Sequence, residues 1–213
     1  MSNSWTDEFL TLALDYKALR FGEFVLKSGR ISPYFFNAGL FCDGSGLDRL
    51  AACYAAAINA SGVEFDVLYG PAYKGIPLAA AVSIRMHSDF GRNLPFAYNR
   101  KEAKAHGEGG NVVGAKLNGR VLIVDDVISA GTSIRESREI IEAHGAEPVA
   151  VAIALDRQER GENEISAVEE VRQAGLEVIS VANLNNLIDW LEQREIAGAD
   201  RSAMLDYRQR FGV

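Results

Sequence analysis

The amino-acid sequence predicts an α/β protein with a parallel central sheet that is flanked by helices on both faces. From about residue 46 onward, short runs of Val, Ile and Leu alternate with amphipathic segments of helical length. Near-continuous apolar runs are typical of strands buried on both faces, and parallel strands need a crossover segment, usually a helix, between them. The alternation therefore indicates successive strand–helix units in one parallel sheet.

The elements follow one another in a regular order. Ser4, Asp7 and Glu8 predict the start of a helix that runs through 9–19. Residues 22–36 alternate apolar and polar side chains around a break at 27–30, which predicts a β-hairpin. Helices are then predicted over 47–62, 75–86, 132–145, 165–175 and 184–193, and strands over 65–70, 94–100, 120–126, 148–156 and 176–183. Because no linker, low-complexity tract or repeat divides the chain, we expect one domain over 1–213.

Composition and charge exclude several functional classes. The chain has 22 basic and 29 acidic residues, a net charge of −7, so nucleic acid and anionic membranes are not expected partners. The first residues lack the basic and apolar regions of a secretory signal, and the apolar stretch at 149–155 is too short to span a bilayer. Cys42 and Cys53 show no metal-ligand spacing, so we expect buried free thiols and a cytoplasmic protein.

Three segments that follow predicted strands stand out, and the first is VLIVDDVISAGTSIR at 121–135. Two carboxylates, Asp125 and Asp126, end an apolar run, and a small hydroxylic turn leads into a helix. Backbone N–H groups and hydroxyls at a helix start form a cradle for a phosphate. The adjacent carboxylates can accept hydrogen bonds from vicinal hydroxyls or meet a hydrated Mg²⁺. The segment therefore indicates a site for a ribose phosphate.

A P-loop nucleotide site is excluded as the explanation of this carboxylate pair. Such a site needs the pattern G-x-x-x-x-G-K-[ST] between a strand and a helix. The nearest match is GGNVVGAK at 109–116, which has Ala115 in place of the required lysine.

The second segment is LYGPAYKGIPLA at 68–79, which follows the predicted strand 65–70. A tight Gly/Pro turn presents backbone N–H groups and Lys74 at the sheet edge where the carboxylates lie. In parallel α/β sheets the ligand lies beyond the carboxyl ends of the strands. This turn is therefore a candidate for a second phosphate group.

The third segment is NRKEAKAHGEGGNVVG at 99–114. It concentrates four potential cations within seven residues of an acidic protein: Arg100, Lys101, Lys104 and His106. Glycines follow at 107, 109 and 110. A cationic segment with glycines at one end predicts a loop that closes over a highly charged substrate.

Together these segments resemble the orotate phosphoribosyltransferases of the type I phosphoribosyltransferase family. VLIVDDVISAGTS resembles the family's 5-phosphoribosyl 1-pyrophosphate (PRPP) motif. The resemblance extends over FVLKSGRISPYFFNAG, YGPAYKGIP, RKEAKAHGEGG and ALDRQERG. It implies the Mg²⁺-dependent conversion of orotate and PRPP to orotidine 5′-monophosphate and pyrophosphate, in de novo pyrimidine synthesis. It also implies the type I phosphoribosyltransferase fold, with an N-terminal hood over 1–45, in a homodimer with shared active sites.

The resemblance implies which residues bind PRPP. Asp125 and Asp126 are expected to engage the ribose 2′- and 3′-hydroxyls, and residues 129–133 to hold the 5-phosphate. Tyr73 and Lys74, together with Lys101, are expected at the pyrophosphate end. The complete PRPP set is Lys27, Tyr73, Lys74, Arg100, Lys101, Lys104, His106, Asp125, Asp126, Val127, Ile128, Ser129, Ala130, Gly131, Thr132 and Ser133. Mg²⁺ is expected to be held mainly through PRPP, pyrophosphate and water, without a direct protein ligand.

The resemblance also implies the orotate site and the catalytic groups. Orotate is expected near Lys27, Phe35 and Phe36, with Ser129 and Arg157 on its polar edges. Adjacent aromatic rings beside a cation suit a flat anionic ring, and an arginine can fork onto a carboxylate. The residues expected to be catalytic are Lys104, His106, Arg100 and Asp125, with the loop cations supplied by a neighbouring subunit.

Two other functions remain open from the sequence. A phosphoribosyltransferase for a purine or for uracil would keep the PRPP motif but would have no use for Lys27 and Arg157 around a carboxylated ring. A PRPP-sensing regulator could use the same cradle without turnover. Such a regulator would be expected to lose the loop cations or to have a basic surface for nucleic acid, and this acidic chain does neither.

Overall fold

The computed structural model describes residues 3–26, 28–102, 111–128, 131–161 and 165–213, and its centre is a six-stranded sheet. Strands β3, β4, β6, β7 and β8 run parallel, and the edge strand β5 is antiparallel to β4. The spatial order is β5–β4–β3–β6–β7–β8. The strands are β3 Val67–Gly70, β4 Phe96–Asn99, β5 Val112–Gly114, β6 Arg120–Val124, β7 Glu147–Asp156 and β8 Glu177–Asn183.

Helices cover both faces of this sheet, as the sequence predicts. Alternate residues of the central strands point to opposite sides. Leu122 and Val124 of β6 pack into the core on the side of α1, α2 and α3, whereas Val121 and Ile123 pack into the core on the side of α4 and α5. The helices are α1 Ser4–Asp15, α2 Gly44–Ser61, α3 Gly75–Phe90, α4 Thr132–Ala143, α5 Ala167–Gln173, α6 Leu184–Glu192 and α7 Arg201–Phe211.

A separate two-stranded sheet near the N-terminus confirms the predicted hairpin. Strands β1 Leu19–Val25 and β2 Ile31–Phe36 pair antiparallel, with a register irregularity between Phe21 and Phe24. The side chain of Phe36 packs edge-on against Phe9 of α1, with ring centroids 5.8 Å apart. This contact joins the hairpin to the core that α1 shares with the large sheet.

Strand β5, helix α7 and a short 3-10 helix at Ala38–Leu40 are not among the elements that the sequence predicts. Strand β5 has three residues and pairs with β4 through Ala97 and Gly114, so its apolar pattern is too short to recognise. Helix α7 buries only Met204 and Tyr207, and the rest of its sequence is largely polar. A short apolar stripe of this kind gives a weak periodic signal.

The prediction of two buried thiols is wrong for Cys42. Cys53 lies in the core on α2, whereas Cys42 is exposed. Cys42 precedes Asp43, the residue that caps α2 by accepting a hydrogen bond from the backbone N–H of Gly46 at 2.8 Å. Because this capping turn lies at the surface, the side chain of Cys42 is exposed to solvent.

The topology of the sheet places a crevice between β3 and β6. From β3 the chain crosses to β4 on one side, and from β6 it crosses to β7 on the other, so the winding direction changes between them. Ligands in open α/β sheets bind at such a switch point, beyond the carboxyl ends of the strands. No helix among the described residues is long and apolar enough to cross a bilayer.

Candidate functional site

The turn that follows β3 packs directly onto the end of β6. A Cβ added at Gly75 would lie 2.7 Å from the backbone oxygen of Val124, and one added at Gly70 would lie 2.1 Å from the oxygen of Gly75. Only glycine permits backbones to approach this closely. The close packing brings Lys74 to the carboxylates that follow β6.

The two carboxylates after β6 are both largely buried, with 7% of each residue exposed. They have different partners. Asp125 accepts hydrogen bonds from the backbone N–H of Asp126 and from Ser133 Oγ, both at 2.9 Å. Asp126 accepts a hydrogen bond from Lys74 Nζ at 2.7 Å. The adjacent like charges are therefore each compensated by a donor from a different element.

The environment of Asp125 disfavours its ionised form. Burial, followed by the neighbouring charge of Asp126, raises the pKa of Asp125 to about 6. The hydrogen bonds from the Asp126 backbone and Ser133, and the charge of Lys74, oppose these effects. In the ligand-free protein Asp125 is therefore ionised less readily than an ordinary aspartate, despite these donors.

The start of α4 has the chemistry of an anion site. Gly131 precedes the helix with φ of 66°, and no acidic side chain stands in the first turn. The first N–H groups of a helix have no partners within the helix, and they produce a region of positive potential at its N-terminus. Thr132 is exposed at this end, and its Oγ1 accepts a hydrogen bond from Arg135 Nη2 at 3.2 Å.

Two of the four residues at 127–130 of the predicted PRPP motif can be compared with the structure. Val127 and Ile128 are partly buried, and Ile128 packs against the core beneath α4. Ser129 and Ala130 lie outside the described residues. The structure therefore brings Asp125, Asp126 and Ser133 together around the end of β6.

The predicted pyrophosphate residues lie on the turn after β3 and at the end of β4. Tyr73 is 68% exposed, and Lys101 Nζ lies 5.1 Å from its ring centroid. The backbone N–H of Ala72 donates to Asn99 Oδ1 at 2.8 Å, which ties the turn to β4. Arg100 donates its backbone N–H to Asn111 O at 2.7 Å. The predicted loop cations Lys104 and His106 lie outside the described residues.

Arg157 follows β7 and is held by several neighbours. Its Nε donates to Glu159 Oε1 at 2.8 Å, and its Nη2 lies 2.6 Å from the same oxygen. Nη2 also donates to Ser32 Oγ at 3.2 Å, and the guanidinium carbon lies 4.3 Å from the ring centroid of Tyr34. Arg157 is therefore part of an ordered network, and one side of its guanidinium is already engaged.

The two predicted orotate aromatics point to opposite faces of β2, as adjacent strand residues must. Phe36 packs toward the core against Phe9. Phe35 lies beside Phe24, with ring centroids 5.5 Å apart, and Arg20 lies 5.4 Å from its ring centroid. At most one of the two side chains can therefore stack on a given ligand ring. Lys27, the cation predicted beside them, lies outside the described residues.

Sequence reasoning missed the residues that hold these groups in place. Tyr54 is fully buried on α2, and its hydroxyl donates to the backbone oxygen of Asp125 at 2.8 Å. Asn99 holds the turn after β3, and Glu159 holds Arg157. Asn99 lies at the end of a predicted strand and opens the cationic segment at 99–114, which was an available signal. Tyr54 gave no signal, because a tyrosine within an Ala-rich helix resembles an ordinary core residue.

Comparisons with known proteins identify relatives over the whole chain. The model of the phosphoribosyl transferase domain family matches residues 44–182. An orotate phosphoribosyltransferase of Thioalkalivibrio sulfidiphilus is 61% identical over 213 residues, covering 99% of each chain. One from Cellvibrio japonicus is 58% identical, covering 98% of each chain. The crystal structure of orotate phosphoribosyltransferase from Francisella tularensis has a TM-score of 0.87 and 40% identity, covering 96% of this chain and 99% of its own.

Proposed function

We propose, since the chain belongs to the orotate phosphoribosyltransferases of the phosphoribosyltransferase family, that the crevice between β3 and β6 is its active site. There it transfers the 5-phosphoribosyl group of PRPP to orotate, which gives orotidine 5′-monophosphate and pyrophosphate for pyrimidine synthesis. The observation that supports this location is the convergence of Lys74, Asp126 and Asp125 at the switch point of the sheet.

The carboxylates after β6 provide the ribose site. Two vicinal hydroxyls can donate to Asp125 and Asp126, whose remaining lone pairs lie at the end of the strand. Hydrogen bonds to an ionised carboxylate favour that ionised form, so ribose binding offsets the unfavourable burial of Asp125. The two negative charges then lie beside the sugar ring, which acquires positive oxocarbenium character as the anomeric bond breaks.

The start of α4 provides the 5-phosphate site. Residues 129–133 are the proposed amide cradle, and Thr132 and Ser133 add hydroxyls at its described end. Arg135 contributes a nearby positive charge, since one of its nitrogens would lie 3.1 Å from a Cβ added at Gly131. A cation in the first turn is unfavourable for the helix dipole by itself, and a bound phosphate would compensate it.

The turn after β3 and the segment after β4 provide the pyrophosphate site. Tyr73, Lys74 and Lys101 lie on this side of the crevice. The proposal adds three cations of the segment after β4, Arg100, Lys104 and His106, which reach the site from a partner subunit. These groups neutralise the charge that develops on the departing pyrophosphate.

The donor set of the crevice suits a hydrated Mg²⁺ that is bound mainly through the substrate. Two largely buried carboxylates are present, and no three His, Cys, Asp or Glu side chains converge on one point in the part of the chain that is described. Mg²⁺ prefers oxygen ligands and retains several waters. When bound, the ion supplies positive charge to the pyrophosphate oxygens. Asp125 and Asp126 are the residues that could accept hydrogen bonds from its waters.

Orotate is proposed to present its carboxylate to Arg157. The hydrogen bonds of Arg157 to Glu159 and Ser32 use Nε and Nη2, so Nη1 is the group proposed to meet the orotate carboxylate. The nucleophile is N1 of orotate, which can react as an anion, so the site needs no strong base. Catalysis then rests on orientation of the two substrates and on compensation of charge.

The proposal also covers organisation and location. The chain is proposed to form one domain over 1–213, with residues 1–45 as a hood. Two chains are proposed to form a homodimer with shared active sites, in the cytoplasm. The full-length match to relatives supports a common organisation.

A substrate panel tests the proposed function. The purified protein is incubated with PRPP, Mg²⁺ and one of four bases: orotate, uracil, adenine or hypoxanthine. We expect pyrophosphate release with orotate and at least a hundredfold less with the other three. Equal turnover of another base would contradict the assignment, and PRPP binding without any turnover would favour a sensor.

A further inference from the structure

The carboxylate of Glu159 occupies one edge of the Arg157 guanidinium. It accepts from Nε at 2.8 Å, and Nη2 lies 2.6 Å from the same oxygen. Ser32 Oγ accepts the remaining hydrogen bond on this side, at 3.2 Å from Nη2. A guanidinium has five N–H donors in a fixed plane. The engaged edge therefore leaves the two donors of Nη1 directed away from Glu159.

Tyr34 restricts the same group from a third direction. The guanidinium carbon of Arg157 lies 4.3 Å from the centroid of the Tyr34 ring, within the range of a cation–π contact. Tyr34 is fully buried, and Ser32 is held against it because Ser32 Oγ donates to the backbone oxygen of Tyr34 at 2.7 Å. The ring restricts the position of the guanidinium, while Glu159 and Ser32 restrict its rotation.

We infer that Glu159 is a positioning residue for orotate, because it holds Arg157 with Nη1 available to the substrate carboxylate. The inference rests on the proposed function, in which Arg157 binds that carboxylate. Preorganised donors lose less conformational entropy on binding than free side chains. An arginine side chain has several rotatable bonds, so a fixed guanidinium strengthens the contact with the ligand.

The opposite role, competition between Glu159 and the substrate for Arg157, is disfavoured by burial. The side chains of Arg157 and Glu159 are only 21% and 15% exposed. Removing one partner of a buried ion pair leaves an uncompensated charge, which is strongly unfavourable. Arg157 without Glu159 would gain freedom to leave its place over Tyr34. The ligand carboxylate would then have to order the side chain as well as bind it.

The C-terminal segment fixes the backbone that bears Glu159. Glu159 forms an antiparallel bridge with Gly212. On either side, the N–H of Arg160 donates to Phe211 O at 2.8 Å, and the N–H of Val213 donates to Gln158 O at 3.0 Å. The last residues of the chain therefore hold the loop after β7 in register. A carboxylate on a loop fixed in this way can determine the direction of its partner.

The test compares two nucleotides that differ only in the carboxylate, orotidine 5′-monophosphate and uridine 5′-monophosphate. The ratio of their dissociation constants, measured by calorimetry, reports the contribution of the carboxylate alone. In Glu159→Ala this ratio should fall about tenfold or more, as expected for loss of a charge-assisted hydrogen bond. The affinity for uridine 5′-monophosphate should be unchanged. A general structural defect would weaken both nucleotides together.

Three further variants keep the result interpretable. Glu159→Gln retains an oxygen that can accept from Arg157, so it should fold and show a smaller fall in the ratio. Glu142→Ala removes another carboxylate paired with an arginine, at 2.7 Å but exposed on α4, and should leave the ratio unchanged. Arg157→Ala tests the proposed function, because it should abolish the preference for orotidine 5′-monophosphate.

The outcomes separate the two proposals. If Arg157→Ala leaves the ratio unchanged, Arg157 does not bind the carboxylate and the proposed orotate site is wrong. If Arg157→Ala abolishes the preference but both Glu159 variants keep the wild-type ratio, the positioning role alone is overturned. A ratio that rises in Glu159→Gln would show competition and would also overturn it.

Discussion

The ammonium nitrogen of Lys74 lies 2.7 Å from a carboxylate oxygen of Asp126, although 52 positions separate the two residues in the chain. Lys74 follows β3 and Asp126 follows β6, the two parallel strands at which the sheet changes its winding direction. The pair forms because the backbone at Gly75 packs directly against Val124. This relationship brings two distant segments of the sequence together at one edge of the sheet.

The first prediction concerns the stability of the ligand-free protein. Burial raises the pKa of Asp125 to about 6, above that of the same group in an unfolded chain. The folded state therefore binds more protons between about pH 4 and 6, and stability is lost as pH rises through this range. Asp125→Asn cannot ionise and should avoid the loss. At pH 7.5 it should be more stable than wild type by on the order of 2 kcal/mol, although inactive.

Chemical denaturation at pH 4.5 and at pH 7.5 checks this prediction. The stability difference between Asp125→Asn and wild type should grow as the pH rises. Asp206→Asn, which changes an exposed carboxylate on α7, is the control. If Asp125→Asn is less stable than wild type by the same amount at both pH values, burial does not disfavour the ionised form of Asp125 in the free protein.

The second prediction concerns protons released when PRPP binds. Ribose hydroxyls that donate to Asp125 favour its ionised form, so binding should lower the pKa of this group. At pH 6 the wild-type protein should then release about half a proton more than Asp125→Asn, and at pH 8 the two should be alike. Calorimetry in buffers of different ionisation enthalpy measures this number. Identical release at pH 6 would mean that the ribose does not engage Asp125.

The third prediction concerns the turn after β3. Asn99 Oδ1 accepts a hydrogen bond from the backbone of Ala72 at 2.8 Å, so Asn99→Ala should loosen the turn that bears Tyr73 and Lys74. The KM for PRPP should rise about five- to tenfold, as expected for one lost hydrogen bond. Asn99→Asp retains the acceptor oxygen and serves as the matched variant, with a smaller change. An unchanged KM for PRPP in Asn99→Ala would show that the turn does not depend on this contact.

Most of the architecture could be predicted from the sequence because burial on both faces leaves a strong pattern. The apolar runs of β6 and β7 mark strands, and the glycines at 62 and 145 lie at the ends of helices with φ of 72° and 78°. The motifs after β3 and β6 lie at the carboxyl ends of neighbouring parallel strands. Topology alone brings those two segments together.

The contacts within the site could not be predicted in the same way. The ion pair of Lys74 with Asp126 depends on the close packing of Gly75, and Arg157 meets Ser32 only because the hairpin lies against the loop after β7. Both are long-range contacts that leave no local periodicity. The opposite directions of Phe35 and Phe36 did follow from strand geometry and were overlooked.

The fourth prediction concerns the proposed homodimer with shared sites. If Lys104 of one chain completes the site that contains Asp125 of the other, Lys104→Ala and Asp125→Asn should each be nearly inactive alone. Random exchange of equal amounts makes about half of the dimers mixed, and each mixed dimer has one intact site of two. Activity should therefore recover to roughly a quarter of wild type after the two variants are denatured and refolded together.

Differential tags establish that mixed dimers have formed, and each variant refolded alone is the control. If both residues serve the site of their own chain, every site retains a defect. No recovery in a sample with proven mixed dimers would therefore exclude the shared site.

The central claim is that one crevice has two separable halves, with Lys74 on the PRPP side and Arg157 on the orotate side. Steady-state kinetics of Lys74→Ala and Arg157→Ala, with each substrate varied in turn, test it most directly. Lys74→Ala should raise the KM for PRPP about tenfold or more and leave the KM for orotate within about twofold, and Arg157→Ala should do the reverse. If either variant raises both KM values equally, Lys74 and Arg157 do not each bind a different substrate, and the proposed division of the crevice is wrong.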